Sequence, residues 1–166
     1  MVFTGTFEHT IDAKKRLAIP ADVRGQIQKA TGAGEGDPLA LVATLGPDRE
    51  IRLYTEAVFE QRAEQLENSE LDPVALLRYE RAFFSIARRV EIDRAGRVRL
   101  PDHLLERAKL GAEVALLGVK DHLEVRDREA WLAEFEATLE DEPSILMDPR
   151  QAMRAARPPG QAGPLL

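Results

Sequence analysis

Two stretches of the chain share one alternation of apolar and polar positions. Leu17 and Ile19 alternate with Arg16 and Ala18, and Val98 and Leu100 alternate with Arg97 and Arg99. A period of two marks a strand with one face buried and the other wet. In each stretch an aspartate stands four residues ahead of the first arginine, Asp12 before Arg16 and Asp93 before Arg97. Each therefore reads as strand, tight polar turn, strand, with the first copy running Phe7–Ile11 and Arg16–Ile19. Pro20 and Pro101 suit the first position of a helix, where a missing N–H costs nothing, so helices are expected over Ala21–Lys29 and Asp102–Lys109. Two further strands follow in each copy, Leu39–Leu45 with Ile51–Tyr54 and Val114–Leu117 with Leu123–Arg126. A helix closes each copy, over Glu56–Leu66 and Arg128–Leu139, and Pro73–Ala87 reads as a connecting helix.

The similarity amounts to an internal repeat. Ile11–Pro20 aligns with Ile92–Pro101 at an offset of 81, and Ile51–Thr55 with Leu123–Asp127 at an offset of 72. The glycine-rich run Thr31–Pro38 in the first copy absorbs the difference, since surface loops tolerate insertion. A single copy of roughly 45 residues is too small to fold without staples, and the chain has no cysteine. The copies are therefore expected to pack into one pseudo-symmetric, strand-rich α+β barrel. The expected divisions are a first motif over 6–58, a helical linker over 59–87, a second motif over 88–134, and a helix end with a mobile Pro/Gly/Ala-rich tail over 135–166.

Composition changes this picture little: 44% hydrophobic and 31% charged residues describe a globular chain. No apolar run approaches the roughly 20 residues of a membrane span, and the start MVFTGTFEHT has no secretory pattern. The absence of cysteine fits a reducing cytoplasm. Charge matters more. The net −6 argues against a nucleic-acid partner, but its distribution does not: residues 1–29 carry +2, residues 88–109 carry +3, and residues 121–148 carry −8. Local fields within a Debye length of about 8–10 Å govern binding.

The candidate chemistry sits in the paired turns. Asp12 and Asp93 are placed to accept backbone N–H groups and shape each turn. Lys14, Lys15 and Arg16, with Arg94 and Arg97, would then meet phosphates, an arginine also being able to grip a guanine edge with two bonds. Arg99 lies on the same strand face as Arg97. The competing reading is that each Asp–Arg pair only stabilises its turn. Two other functional classes are weighed: a ring-forming interaction scaffold, and an enzyme using Asp12 or Asp93 as a base. The second lacks a paired carboxylate, nucleophile or metal constellation, and the adjacent arginines would hold those aspartates ionised. His9, His103 and His122 show no metal-ligand spacing. Gly32–Asp37 reads as a flexible hairpin loop, Phe83 and Phe84 as core or subunit contacts, Ser69 and Ser85 as ordinary serines, and Glu134–Glu142 as a solvated helix face.

The doubled Asp-x-x-x-Arg motif with its apolar pair and proline resembles the MraZ family. Supporting residues are Phe3-Thr4-Gly5, Arg81, Phe84, Ala108-Lys109-Leu110, and Gly118 ahead of Asp121. The likeness runs from Phe3 to Phe135. It implies an AbrB-like swapped-hairpin barrel, assembly into a closed ring, and repression of the division and cell-wall gene cluster through repeated boxes in promoter DNA. Head-to-tail rings present identical loops in one sense, which suits direct repeats. No catalysis, metal, cofactor, small-molecule substrate or membrane is expected, and the setting is the cytoplasm, on the nucleoid. A related antitoxin-like regulator sharing the barrel is disfavoured by the covalent duplication. One departure stands out: the glycine before the motif arginine is kept as Gly96 but replaced by Lys15, so the first turn must avoid a positive φ or hold one under strain.

Overall fold

The computed structural model describes residues 2–146 and 148–155. Eight strands form one antiparallel sheet: β1 (Thr6–Thr10), β2 (Arg16–Ala18), β3 (Leu39–Leu45), β4 (Ile51–Tyr54), β5 (Arg88–Ile92), β6 (Arg97–Arg99), β7 (Glu113–Val119) and β8 (His122–Asp127). Their order is β1-β7-β8-β4-β3-β5-β6-β2. β2, last in the order, follows directly from β1, the first, through a turn closed by Asp12 N–H on the Arg16 carbonyl (3.0 Å), so the sheet nearly closes into a barrel. The helices are α1 (Ala21–Thr31), α2 (Glu56–Glu67), α3 (Pro73–Ile86), α4 (Asp102–Ala108), α5 (Arg128–Asp141) and α6 (Pro149–Ala155).

The hairpins are swapped between copies. β1 of the first copy pairs with β7 of the second, Thr6 opposite Leu117. Reciprocally, β5 of the second pairs with β3 of the first, Leu39 opposite Ile92. An approximate two-fold axis relates the copies and passes between β2 and β6, where Leu17 faces its own equivalent Val98. It leaves between β4 and β8, where Arg52 faces its equivalent Glu124. Two identical chains would bring like residues together at this second point. Duplication in one chain lets opposite charges meet there instead.

Alternation fills the barrel. Leu17, Ile19, Val23, Ile27, Leu41, Ile51, Leu53, Val98, Leu100, Leu104, Leu116, Leu123 and Val125 are fully buried in one cluster. Each such side chain contributes about 1.5–3 kcal/mol relative to exposure. The amino-terminal segment closes the same core through Phe3, whose N–H donates to the Lys120 carbonyl (2.7 Å) and whose carbonyl accepts from Lys120 N–H (3.1 Å). Gly118 permits the crossing, because a β-carbon there would lie 2.4 Å from the Thr4 backbone nitrogen. Phe3-Thr4-Gly5 and Gly118 are thus halves of one contact.

Two expectations need correction. Pro20 and Pro101 sit one residue ahead of their helices, with ψ of 148° and 136°, because each still completes the extended strand exit. The Thr31–Pro38 run joins helix α1 to β3 rather than two strands, and Gly34 N–H donates to Asp37 Oδ2 (2.7 Å). Past Pro143 the chain makes a 3-10 turn (Pro143–Leu146) and α6; residues 156–166 of the expected mobile tail lie outside the described residues. The chain divides into two units, the second beginning at Glu129. Within that second unit the Trp131 and Phe135 rings lie 5.5 Å apart and Thr138 Oγ donates to the Glu134 carbonyl. Among the described residues no helix is long and apolar enough to cross a membrane.

On the outer face of β4 and β8 a charge network is nearly buried. Glu124, with a side chain 7% exposed, accepts from Arg126 Nε (2.8 Å) and His122 Nε2 (3.0 Å), and Arg52 lies 3.6 Å away. His122 Nδ1 donates to Asp121 (2.8 Å), which also pairs with Arg62 of α2. Buried Glu50 accepts from Arg52 Nε (2.6 Å) and from Asp48 N–H (2.9 Å). Burial alone would raise Glu124, but its donors His122 and Arg126 outweigh that and hold it at about 2. Burial likewise pulls His122 down, yet hydrogen bonds to Glu124 and Asp121 prevail and raise it. The signs set a window. Glu124 stabilises fully above its ordinary 4.5 and loses that as pH falls toward 2, while His122 stabilises fully below 6.5 and loses that as pH rises through its raised value. Thermal midpoints are therefore expected to peak between about pH 4.5 and 6.5; a monotonic rise from pH 4 to 9 would contradict the network.

Candidate nucleic-acid interface

Each motif turn is organised by its aspartate. Asp12 Oδ1 accepts from Lys14 N–H and Arg16 N–H, both at 2.9 Å, and Oδ2 accepts from Arg16 Nε at 2.7 Å. Asp93 repeats this with Ala95 N–H (2.9 Å) and Arg97 N–H (3.0 Å), while Arg97 Nε stands 3.4 Å from Oδ2 as an ion pair. The backbone N–H of Arg16 is the chief cause of a lowered Asp12 pKa, and that of Arg97 does the same for Asp93. Both carboxylates stay ionised, and the paired guanidiniums are aimed rather than swallowed: the Arg16 and Arg97 side chains remain 28% and 36% exposed. The turn-stabilising and the cation-presenting readings therefore describe the same atoms.

The turns are joined through the β2–β6 ribbon. Ile19 N–H donates to the Gly96 carbonyl and Leu100 N–H to the Lys15 carbonyl, both at 2.8 Å, so each turn is stapled to the other copy's strand. Leu17 and Val98 point into the core, leaving Arg16, Arg97 and Arg99 on the outward face, with Arg16 directly opposite Arg99. Lys14 and Arg94 are exposed at the turn tips. The ribbon thus brings together all six cations expected from the sequence, as one outward set with a turn at each end.

Lys15 takes the strained course, with φ +61° against +77° at its counterpart Gly96. A lysine in this region costs roughly 1–2 kcal/mol. Its ammonium meets Asp102 Oδ1 at 2.9 Å, and Arg99 approaches the same oxygen at 3.5 Å. The Lys15 contact is the main cause of a lowered Asp102 pKa. Lys15→Gly is expected to relieve the strain against a glycine flexibility cost of about 0.5–1 kcal/mol, raising the melting temperature by roughly 2–4 °C while weakening duplex binding about two- to threefold by removing one cation. A melting temperature that drops in the variant would show that the turn carries no such strain.

Two participants escaped the sequence reading. Asp102 draws Lys15 and Arg99 together from the start of α4, and Arg24 of α1 lies across Gly96 with Nη1 donating to the Ile19 carbonyl (2.5 Å). Each also has a partner in the other copy, Lys15 for Asp102 and Gly96 for Arg24, which no local spacing announces.

A two-copy, swapped-hairpin barrel of AbrB-like type, with a cationic ribbon on its outer face, is the class that fold and site define. The MraZ protein family model matches residues 2–77 and 83–154. The chain is 34% identical to the transcriptional regulator MraZ of Desulforamulus reducens, across 89% of this chain and 99% of that protein. It is 36% identical to the protein of the same name from Neisseria gonorrhoeae (87% and 93% covered) and 35% identical to that of Thermomicrobium roseum (87% and 94%). The chain belongs to the MraZ family.

Proposed function

We propose that the chain is a transcriptional repressor of the division and cell-wall gene cluster that binds direct repeats in double-stranded promoter DNA as a homo-oligomeric ring. The observation that carries this is the β2–β6 ribbon, with Arg16, Arg97 and Arg99 on one outward face and Lys14, Lys15 and Arg94 at its turns. Two of those arginines are oriented by carboxylates, which suits recognition of base edges better than a diffuse basic patch does. The resemblance supplies the target and the repeats. Assembly is supported by α3, where Val74 is 69% exposed and Leu77, one turn on along the same face, is nearly half exposed. The protein works in the cytoplasm on the nucleoid, without cofactor, small-molecule substrate or catalytic step.

The test is retention and protection of the segment upstream of the protein's own gene. Log affinity is expected to fall with log salt at about −0.9 per phosphate contacted, so a protomer touching roughly four phosphates gives a slope near −3.6. A flat salt response rules out ribbon-to-phosphate contact. The exposed α3 face favours one rival, a ring scaffold without nucleic-acid function, and absence of any retention at low salt would select it.

A further inference from the structure

The two-fold relation between the copies is broken at the surface that carries the proposed function. Offset by 81, the first turn reads Ala13-Lys14-Lys15 where the second reads Arg94-Ala95-Gly96. Strand neighbours break it further. Arg16 has Arg99 beside it across the ribbon, whereas Arg97 has Ala18. Asp102, which gathers Lys15 and Arg99, corresponds to Ala21 in the first copy, and Arg24, which lies across Gly96, corresponds to Leu105 in the second. Because β2 and β6 are antiparallel, these differences separate to opposite ends of the ribbon. One end presents Lys14, Lys15, Arg16 and Arg99. At the other the cations are arginines, Arg94, Arg97 and the part-buried Arg24, beside Asp93 and among the small residues Ala18, Ala21, Ala95 and Gly96.

The chemistry of the ends differs accordingly. Lysine is a mobile point charge that suits phosphate without reading sequence, and arginine is a rigid fork that matches a guanine edge. Arg97, with no bulky neighbour across the strand, has room to enter a groove. Arg16 is hemmed by Arg99 and by the Lys15–Asp102 pair.

We infer that each protomer docks on double-stranded DNA in a single polarity, the lysine end gripping the sugar-phosphate backbone and the arginine end reading base edges. This rests on the DNA-binding reading above and adds a direction to it. A ribbon with unlike ends cannot sit equally well both ways on an asymmetric box, so neighbouring protomers in a head-to-tail ring would all point the same way along the duplex.

The chain contains no cysteine, so single tethers are unambiguous. Ala13 and Ala95 are exposed turn residues at opposite ends of the ribbon. Ala13→Cys and Ala95→Cys, each carrying an iron chelate, are bound to a duplex holding one copy of the shortest segment the protein protects upstream of its own gene. Each variant is expected to cut one flank of the box, and the two to cut opposite flanks. Equal cutting of both flanks by each variant overturns the inference. As a second readout, Lys14→Ala with Lys15→Ala is expected to weaken box and scrambled duplexes by the same factor. Arg97→Ala is expected to weaken the box about tenfold and the scrambled duplex less than threefold; the reverse pattern also overturns it. Failure of the unmodified protein to retain any duplex sinks the proposed function itself, a result distinguishable from symmetric cutting.

Discussion

Arg16→Ala combined with Arg97→Ala is expected to weaken operator binding by about 100- to 1,000-fold, while the barrel melts within a few degrees of the parent. A well-placed bidentate arginine on a base edge is worth about 1–3 kcal/mol. Loss of that contact at Arg97 and of a phosphate contact at Arg16 multiply again when several protomers are engaged at once. The fold is insulated because both ion pairs are partly exposed, and pairs of that kind contribute only about 0–1 kcal/mol. Asp12 and Asp93 also keep their backbone donors in the variant, so the turns survive. Anisotropy titration with a labelled upstream fragment reads the first effect and a thermal melt the second. Undiminished affinity in the double variant would remove the ribbon from the interface.

Glu124→Ala has the opposite profile: large in stability, indirect in binding. It removes the carboxylate shared by His122, Arg126 and Arg52, leaving them only Asp121, Asp48 and Glu50 among the contacts described, in a site where the Glu124 side chain is only 7% exposed. Breaking a buried ion cluster by removing one partner costs about 3–5 kcal/mol, which for a chain of this size lowers the melting temperature on the order of 10 °C. Glu124→Gln retains an acceptor and is expected to fall between. A melting temperature within about 2 °C of the parent for Glu124→Ala would show that the cluster is solvated and adds little.

Residues speaking to near neighbours were legible in the sequence, and residues speaking across the axis were not. The strand outlines followed from alternation, and Asp12–Arg16 and Asp93–Arg97 from a spacing of four. The pairing of β1 with β7 and of β3 with β5 came only through the resemblance, because nothing in Thr6–Thr10 alone selects its partner. Lys15 left two conformations open, and the structure takes the left-handed one because the Leu100 N–H must reach its carbonyl. Alternation alone gives no sign that charged residues in and beside the strands Ile51–Tyr54 and Leu123–Arg126 leave water. In the fold, Glu50 and Glu124 are buried among arginines and a histidine.

The exchange of hairpins also governs how this polypeptide leaves the ribosome. When the first half has been synthesised, β1 has an unsatisfied edge, since its partner spans Glu113–Leu117 and is not yet translated. β3 can zip onto β4 at once but waits for Leu39–Ala43 to receive the strand Arg88–Ile92. Nascent first halves on neighbouring ribosomes therefore carry complementary open edges, and prompt synthesis of the remainder, tethered in the same chain, is what keeps closure intramolecular.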